Sequence, residues 1–308
     1  MINRNLIRIR VVQIVYSWYQ NKNKDLLTLE KELLFGLRKS YDLYFYLLLI
    51  MIEITKAHEM RVEIKRNKFL PSKEDLNPNM KLIDNRFIKQ LQGNREFNSY
   101  LNERPMSWEE HDSFIKNLLD NILDSDIYKE YANSNENDYD NDKEFWRKAF
   151  KDFICNNDTL DEILEDESIY WNDDIAIVQS FVLKSIRQFR AESGELQKLL
   201  PMFRNEEDRD FALKLLHNTV QNEKEYRDLI EKHSDGWDFD RMAFMDLIIM
   251  QVTLAEIYTF DDIPVSVSLN EYIELAKSYS TPKSSTFING ILDAAVSDLR
   301  SQNIIFKN

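Results

Sequence analysis

Glycine is rare in this sequence and never clustered, which constrains the possible folds more than any other feature. The 308 residues include five glycines, at positions Gly36, Gly93, Gly194, Gly236 and Gly290. Dinucleotide fingerprints and P-loops need two or three glycines within a few residues, so both are excluded. Prolines number only six. Because the tight turns of β-sandwiches and barrels use glycine and proline, the composition favours an all-α fold.

The cysteine and histidine residues show no pattern of a catalytic or metal site. Cys155 is the only cysteine, which excludes an internal disulfide and a thiolate metal cluster. Its acidic neighbours, Asp152, Asp158 and Asp161, disfavour the thiolate form that a catalytic cysteine needs. No zinc-binding spacing relates the histidines, which are His58, His111, His217 and His233. We therefore expect a protein that is not an enzyme and that needs no metal or cofactor.

The chain shows neither a signal peptide nor a transmembrane segment by sequence. Its first residues carry a charge but no uninterrupted apolar run follows them. The most apolar stretch, residues 41–54, is shorter than the roughly 20 residues that cross a bilayer. The sequence therefore predicts a cytoplasmic protein without a membrane partner, in which this stretch is a core helix.

Charge is distributed unevenly along the chain. The net charge is −14, from 40 basic and 54 acidic residues, which as a total argues against nucleic-acid binding. Residues 1–24, however, contain no acid and these basic residues: Arg4, Arg8, Arg10, Lys22 and Lys24. A basic N-terminus on an acidic protein leaves a local contact with nucleic acid open. The alternative is that the arginines are solvated charges at a helix end.

Most of the negative charge lies in residues 120–175, which contain 18 acidic and 5 basic residues. We interpret this segment as solvated and partly flexible surface, and its stretch 133–142 (NSNENDYDND) has the composition of a disordered loop. The alternative is that this acidic segment mimics the negative charge of a nucleic acid.

The first predicted helix covers residues 7–20. Its apolar side chains share one face, namely Ile7, Val11, Ile14, Val15 and Trp18. Arg4 and Arg8 lie on the extension of that face. Because a guanidinium group cannot be buried unpaired, we expect the first turn to project beyond the core and to offer these arginines to a partner.

The rest of the chain also shows helical periodicity, and no segment shows a strand pattern. Predicted helices span residues 26–65, 84–91, 108–123, 142–153, 173–189, 206–232, 241–258 and 286–300. The helix 241–258 is apolar almost all round, which predicts burial. Ser268 and Glu271 form a capping-box pattern that predicts the start of a helix ending near Tyr279.

Two C-terminal blocks resemble a known family. Residues 262–279 read DIPVSVSLNEYIELAKSY and residues 287–293 read FINGILD. In order and spacing they resemble the VP..V.INEAVELAK and KFVNGVLD blocks of the NusB family of bacterial transcription antitermination factors. The helix containing Glu256 resembles the helix that precedes these blocks in the family. At the N-terminus, the arginines and the sequence VQIVYSW (residues 12–18) resemble the family's arginine-rich start and first helix.

The resemblance covers only the two ends of the chain. It divides the protein into an N-terminal NusB-like helix (1–20), a helical insertion that contains the acidic segment (21–200), and a C-terminal NusB-like helical domain (201–308). It also implies an all-α fold built from small helical bundles, interrupted here by the insertion.

The same resemblance implies a function and its residues. NusB-like proteins bind boxA-type single-stranded RNA together with NusE, a small-subunit ribosomal protein, and join the RNA polymerase antitermination complex. Carried over to this sequence, the RNA-binding residues are Arg4, Arg8, Arg10, Tyr16, Lys283, Phe287 and Asn289. Glu256 and its helix are the candidate surface for the protein partner.

Some of these positions leave alternatives open. Tyr16 and Phe287 are either exposed stacking platforms or core aromatics, and Asn289 is either a base contact or a helix-packing amide. Thr286 stands where the family often has lysine, and Lys283 stands where it usually has aspartate. The first departure weakens the basic surface and the second restores it.

The alternative function is a non-catalytic scaffold that has lost RNA binding, whose acidic insertion contacts polymerase or ribosomal proteins. An RNA methyltransferase carrying a NusB-like domain would need a glycine-rich cofactor domain, for which the five scattered glycines leave no place.

Overall fold

The computed structural model describes residues 1–21, 25–234 and 243–307. Lys22, Lys24, Gly236 and the predicted helix start at Arg241 lie outside the described residues. The chain forms two compact units. The terminal unit combines Ile2–Arg38 with Phe203–Asn308, and the internal unit consists of Met1 and Lys39–Met202.

The all-α fold is confirmed, because the described residues contain helices and no strand beyond one isolated bridge between Ile2 and Phe203. The helices are α1 Arg4–Gln20, α2 Leu26–Arg66, α3 Lys73–Leu76, α4 Arg86–Gly93, α5 Arg95–Glu103, α6 Asp112–Asp124, α7 Asp126–Asn133, α8 Tyr139–Ala149, α9 Asp158–Glu167, α10 Ile175–Gln188, α11 Glu206–Gln221, α12 Glu223–Lys232, α13 Phe244–Thr259, α14 Val265–Tyr279 and α15 Ser284–Ser301. Among these, no helix is both long enough and apolar enough to cross a membrane.

Helix α13 forms the centre of the terminal unit. Every residue from Leu247 to Ile257 is buried, as its apolar composition predicts. Helices α1, α11, α12, α14 and α15 all pack against it. Helix α1 begins one turn earlier than predicted, because the Asn3 side chain accepts a hydrogen bond from the Leu6 backbone N–H at 2.9 Å and caps the helix there.

Two helices of the terminal unit differ from the prediction. The helix predicted over 206–232 is interrupted at Asn222, whose side chain bonds to the Asn218 carbonyl oxygen and competes with helical bonding. Helix α14 starts at Val265, directly after Pro264, so the capping box predicted at Ser268 does not form. The Ser268 hydroxyl instead donates to Glu256 at 2.8 Å.

The first predicted domain boundary differs from the division in the structure. The sequence places it at residue 20, whereas the terminal unit extends to Arg38. The beginning of α2 belongs to this unit because it packs on α1 at Gly36. A Cβ atom at Gly36 would lie 2.8 Å from Cδ of Arg10, so a larger residue there would require the buried Arg10 side chain to shift.

Aromatic side chains fill the internal unit around the second part of α2. Phe45 stacks on Tyr100 with ring centroids 3.8 Å apart, and Tyr46 stacks on Trp108 at 4.1 Å. The side chains from Leu43 to Ile52 are all buried, in agreement with the predicted core helix. This unit contains the acidic segment and most of the predicted insertion.

The stretch 133–142 is more ordered than its composition predicts. Residues 134–138 link α7 to α8, and the Asp138 side chain caps α8 by accepting from the Asn141 backbone N–H at 2.8 Å. Lys81 donates to the carbonyl oxygens of Ser134 and Glu136, both at 2.9 Å. Because Lys81 lies outside the stretch, its two bonds attach the stretch to the rest of the internal unit.

We expect the stability of the protein to depend on pH through His58. This residue is 7 % exposed, and within the described chain neither ring nitrogen has a hydrogen-bond partner. Burial, reinforced by Arg61 and Lys65, lowers the pKa of His58 to about 4. Between pH 6.5 and pH 4 the unfolded chain binds a proton that the folded chain excludes, so the free energy of unfolding falls by about 3 kcal/mol as the pH is lowered.

The variant His58→Leu removes this titration. Urea unfolding of both proteins at pH 7 and pH 4.5 measures the effect. We expect the variant to gain stability relative to the natural chain at the lower pH, whereas an equal loss in both proteins contradicts the buried neutral histidine.

Candidate nucleic-acid interface

An ion pair between Arg8 of α1 and Glu256 of α13 lies inside the terminal unit. Arg8 Nε donates to Glu256 Oε2 and Arg8 Nη2 donates to Glu256 Oε1, both at 2.8 Å. Arg8 is 4 % exposed and Glu256 is fully buried. This two-bond geometry is the strong form of an arginine–carboxylate pair.

Helix α14 completes the surroundings of this pair. The hydroxyls of Ser268 and Tyr272 donate to Glu256 at 2.8 and 2.9 Å, and Glu271 accepts from Arg8 Nη1 at 3.2 Å. Burial opposes the charge of Arg8, but the hydrogen bonds to Glu256 and its negative charge outweigh burial and raise the pKa of Arg8. Burial and the Glu256 charge raise the pKa of Tyr272 well above its usual value. The carboxylate is therefore fully hydrogen-bonded and ties α1, α13 and α14 together.

This pair corrects two expectations from the sequence. Arg8 does not project beyond the core, because Glu256 provides the partner that makes its burial possible. Glu256 does not lie on a partner surface, because both of its oxygens are engaged inside the unit. The guanidinium group and the carboxylate satisfy each other instead of reaching external ligands.

Arg10 is also internal, which leaves Arg4 as the accessible member of the predicted arginine set. Arg10 is 3 % exposed and donates to Gln13 Oε1 at 2.8 Å. The Arg4 side chain is 33 % exposed and forms an ion pair with Asp262 at 3.4 Å. Its guanidinium carbon lies 5.0 Å from the Phe211 ring centroid, so the group is oriented by a cation–π contact.

A buried carboxylate also fixes the turn before α15. The hydroxyls of Ser280 and Ser284 both donate to Asp246, which is 4 % exposed, the second at 2.8 Å. Lys283 lies in this turn with an exposed side chain, and within the described chain it forms no ion pair. Asp246 thus holds a lysine and the start of α15 at the surface of the terminal unit.

The two predicted contacts inside α15 are less accessible. Phe287 is half-buried. It is therefore neither the fully exposed stacking platform nor the core aromatic that the sequence left as alternatives. The Asn289 amide, also half-buried, donates to Asp293 Oδ2 at 3.0 Å. This bond occupies one N–H of the amide within the helix, and the other polar positions of the side chain can still meet a ligand.

Tyr16 belongs to an exposed aromatic cluster that sequence reasoning missed. Tyr16 is 39 % exposed, and its ring centroid lies 5.7 Å from that of Phe244, which is 37 % exposed. Tyr19 contacts Phe244 at 5.2 Å, and Trp18 contacts Tyr19 at 4.9 Å. The sequence shows Tyr16, Trp18 and Tyr19 together on α1. Only the fold brings Phe244, at the start of α13, against them.

The internal unit contains a cleft of about 600 Å³, lined in part by charged side chains. Asp42 in its wall is paired with Arg104 at 2.8 Å and with the Tyr100 hydroxyl at 2.6 Å. Within residues 1–21, 25–234 and 243–307, no group of histidine, cysteine or carboxylate side chains could hold a metal ion. Burial, and then the charge of Asp152, raise the pKa of Cys155 to about 11, so its thiol is protonated at neutral pH.

The fold and these sites define an all-α protein whose terminal unit exposes aromatic side chains and a basic turn around buried ion pairs. The sequence model described as the NusB family matches residues 174–297. The match therefore begins within the internal unit and covers most of the C-terminal part of the terminal unit.

Named relatives support the same assignment. "Transcription antitermination protein NusB" of Chloroherpeton thalassium is 43 % identical over 100 residues, which are 32 % of this chain and 47 % of that protein. The protein of the same name from Salinibacter ruber is 35 % identical over 132 residues, 41 % of this chain and 82 % of that protein. The one from Listeria welshimeri is 37 % identical over 110 residues, 36 % of this chain and 86 % of that protein. No solved structure matches the chain.

The chain belongs to the NusB family. It spans about half of the length of the Chloroherpeton relative and more than four fifths of the other two. Members of the family are non-catalytic, and the expectation that this chain is not an enzyme agrees with that membership.

We expect Arg8→Met to destabilise the protein strongly. The substitution leaves the Glu256 carboxylate buried without its cation, a change that costs about 3–5 kcal/mol in folding free energy. The matched control is Arg4→Met, which removes an exposed ion pair and costs less than about 1 kcal/mol. Chemical unfolding of the two variants measures both values, and equal losses contradict the structural role of Arg8.

Proposed function

We propose that this chain is an RNA-binding transcription antitermination factor. It binds boxA-type single-stranded RNA together with a NusE-like small-subunit ribosomal protein and acts in an RNA polymerase antitermination complex. The observation that carries the proposal is the exposed contact between Tyr16 and Phe244. It lies on the terminal unit of a chain whose relatives are named transcription antitermination proteins.

The aromatic cluster supports recognition of single-stranded RNA. Unpaired bases stack on exposed aromatic rings, and each such contact contributes about 1–3 kcal/mol to binding. Tyr16 and Phe244 are each more than a third exposed, so each residue offers surface to a ligand without rearrangement of the core. The tilted arrangement of the two rings gives adjacent bases separate surfaces.

Phosphate binding rests on fewer cations than the sequence predicts. Lys283 is exposed and Arg4 is partly exposed, whereas Arg8 and Arg10 act within the fold. Each phosphate neutralised on a single strand contributes about −0.7 to the salt slope of binding. With Lys283, Arg4 and the N–H groups at the start of α15 as the contacts, we expect a shallow salt dependence and a large contribution from stacking.

Burial of Arg8 and Arg10 also favours the alternative function. If these arginines serve the fold alone, a net charge of −14 disfavours RNA, and the protein acts as a non-catalytic scaffold for transcription or ribosome assembly. In that case Tyr16 and Phe244 contact protein and not bases. Glu256 belongs to neither interface, because it is fully buried.

A binding titration separates the two functions. A fluorescent boxA-like single strand and a scrambled strand are titrated with the full chain at two salt concentrations, with and without the NusE-like protein. We expect sequence-dependent binding that tightens with the protein partner and weakens with salt. Absence of RNA binding even with the partner contradicts the antitermination mechanism and leaves the scaffold.

Two variants test the residues of the interface. Tyr16→Ala removes a stacking surface and should weaken binding about tenfold or more at every salt concentration. Lys283→Gln should weaken binding moderately and reduce the salt slope by about 0.7. The control for charge is Lys277→Gln, at an exposed lysine of α14 that pairs with Glu274, and it should leave binding unchanged. Equal effects of Lys283→Gln and Lys277→Gln would place the RNA elsewhere.

A further inference from the structure

The end of α2 and the loop that follows it lack cover in the internal unit. Every residue from 63 to 70 is exposed, so the last turn of α2 has no face against a core. Residues 60–76 contain five basic and three acidic residues, a net charge of +2. The segment 60–76, called here the α2 tip, is therefore a basic projection on a unit that is otherwise acidic.

The α2 tip also exposes large apolar side chains. Phe69 is 98 % exposed and Leu70 is 82 % exposed. Three more apolar side chains of the tip are between 53 % and 63 % exposed, and these are Met60, Ile64 and Leu76. Several exposed apolar side chains within one short segment are typical of interaction sites on soluble proteins.

The same unit carries a surface of the opposite charge. Residues 158–167, which form α9, contain six acidic residues and no basic residue. Leu160 and Leu164 are the buried positions of this helix, so Glu162, Glu165 and Asp166 lie on its exposed side. Ile169, which is 81 % exposed, lies two residues after Glu167, the last acid of this run. Residues 158–169 are called here the acidic face.

We propose that the α2 tip binds the acidic face of a second copy of this chain. The tip offers cations around exposed apolar side chains, and the acidic face offers carboxylates around Ile169. Two tips carry the same charge and repel each other, so pairing of tip with acidic face is favoured over pairing of tip with tip. In a twofold dimer this contact occurs twice, which doubles the buried area.

Single-stranded RNA is a weaker match for the tip. Only one of the five exposed apolar side chains, Phe69, is aromatic and can stack on a base. Residues 39–202 contain 32 acidic and 22 basic residues, a net charge of −10 that repels a polyanion. The proposed self-association does not depend on the RNA function assigned to the terminal unit.

Sedimentation of the full chain across a concentration series, at low and high salt, tests the proposal. We expect a dimer that dissociates on dilution and weakens at high salt, because the contact is partly electrostatic. The double variant Phe69→Ser with Leu70→Ser should weaken the dimer at least about tenfold. Phe306→Ser is the control, since Phe306 is 82 % exposed in the terminal unit, and it should leave the dimer unchanged.

A charge exchange tests which surfaces meet. Lys65→Glu with Arg66→Glu changes the net charge of the tip from +2 to −2. Asp158→Lys, Glu162→Lys, Glu165→Lys and Asp166→Lys together change the net charge of the acidic face from −6 to +2. Each of these two variants alone should be monomeric, whereas an equimolar mixture of the two should form a heterodimer, because both contacts are then attractive.

Three outcomes overturn the proposal. They are a chain that stays monomeric at all concentrations, a dimer that survives serine substitution at the tip, and a mixture of the charge variants that remains monomeric. RNA binding by a monomer that Phe69→Ser abolishes would also overturn it and would assign the tip to RNA.

Discussion

The Arg8 guanidinium joins three helices of the terminal unit through one carboxylate, that of Glu256. Helix α1 provides the cation, α13 provides the anion, and α14 provides the hydroxyls of Ser268 and Tyr272 that complete its hydrogen bonding. Apolar packing alone tolerates several rotations of a helix about its axis. A buried guanidinium group that meets Glu256 with two hydrogen bonds and Glu271 with a third restricts that rotation, because turning the helix separates the charge from its partners. The orientation of α1 against α13 therefore follows from this pair, and with it the contact between Tyr16 and Phe244 at the surface.

A second buried carboxylate acts in the same way at the other side of the proposed interface. Asp246 sits at the start of α13, two residues after Phe244, and binds the hydroxyls of Ser280 and Ser284. One helix start thus carries an exposed aromatic ring and anchors the turn that presents Lys283. Interior charges position the exposed groups, while the exposed groups are the ones proposed to meet RNA. Because buried and exposed groups have these separate roles, Arg8 can be important to the terminal unit without contacting a ligand.

Much of the fold could be predicted from the sequence, because helical periodicity and the scarcity of glycine are local signals. The burial of α13 followed from its apolar composition, and α2 began at the predicted residue. The role of Arg8 could not be predicted, since its partner lies 248 residues away and periodicity does not pair distant residues. Ser268 fits a capping pattern, but its hydroxyl is drawn to Glu256. Phe244 carried no signal at all, because its importance comes only from contact with α1.

The proposed interface places RNA on the terminal unit at Tyr16, Phe244 and the turn before α15. Photo-crosslinking of RNA to the protein tests this placement. A boxA-like strand carrying 5-iodouridine is irradiated with the full chain and the NusE-like protein, and the adducts are located by mass spectrometry. We expect adducts in peptides that contain Tyr16, Phe244 or residues 283–289, and none within residues 39–202. Adducts confined to residues 39–202 would contradict this placement.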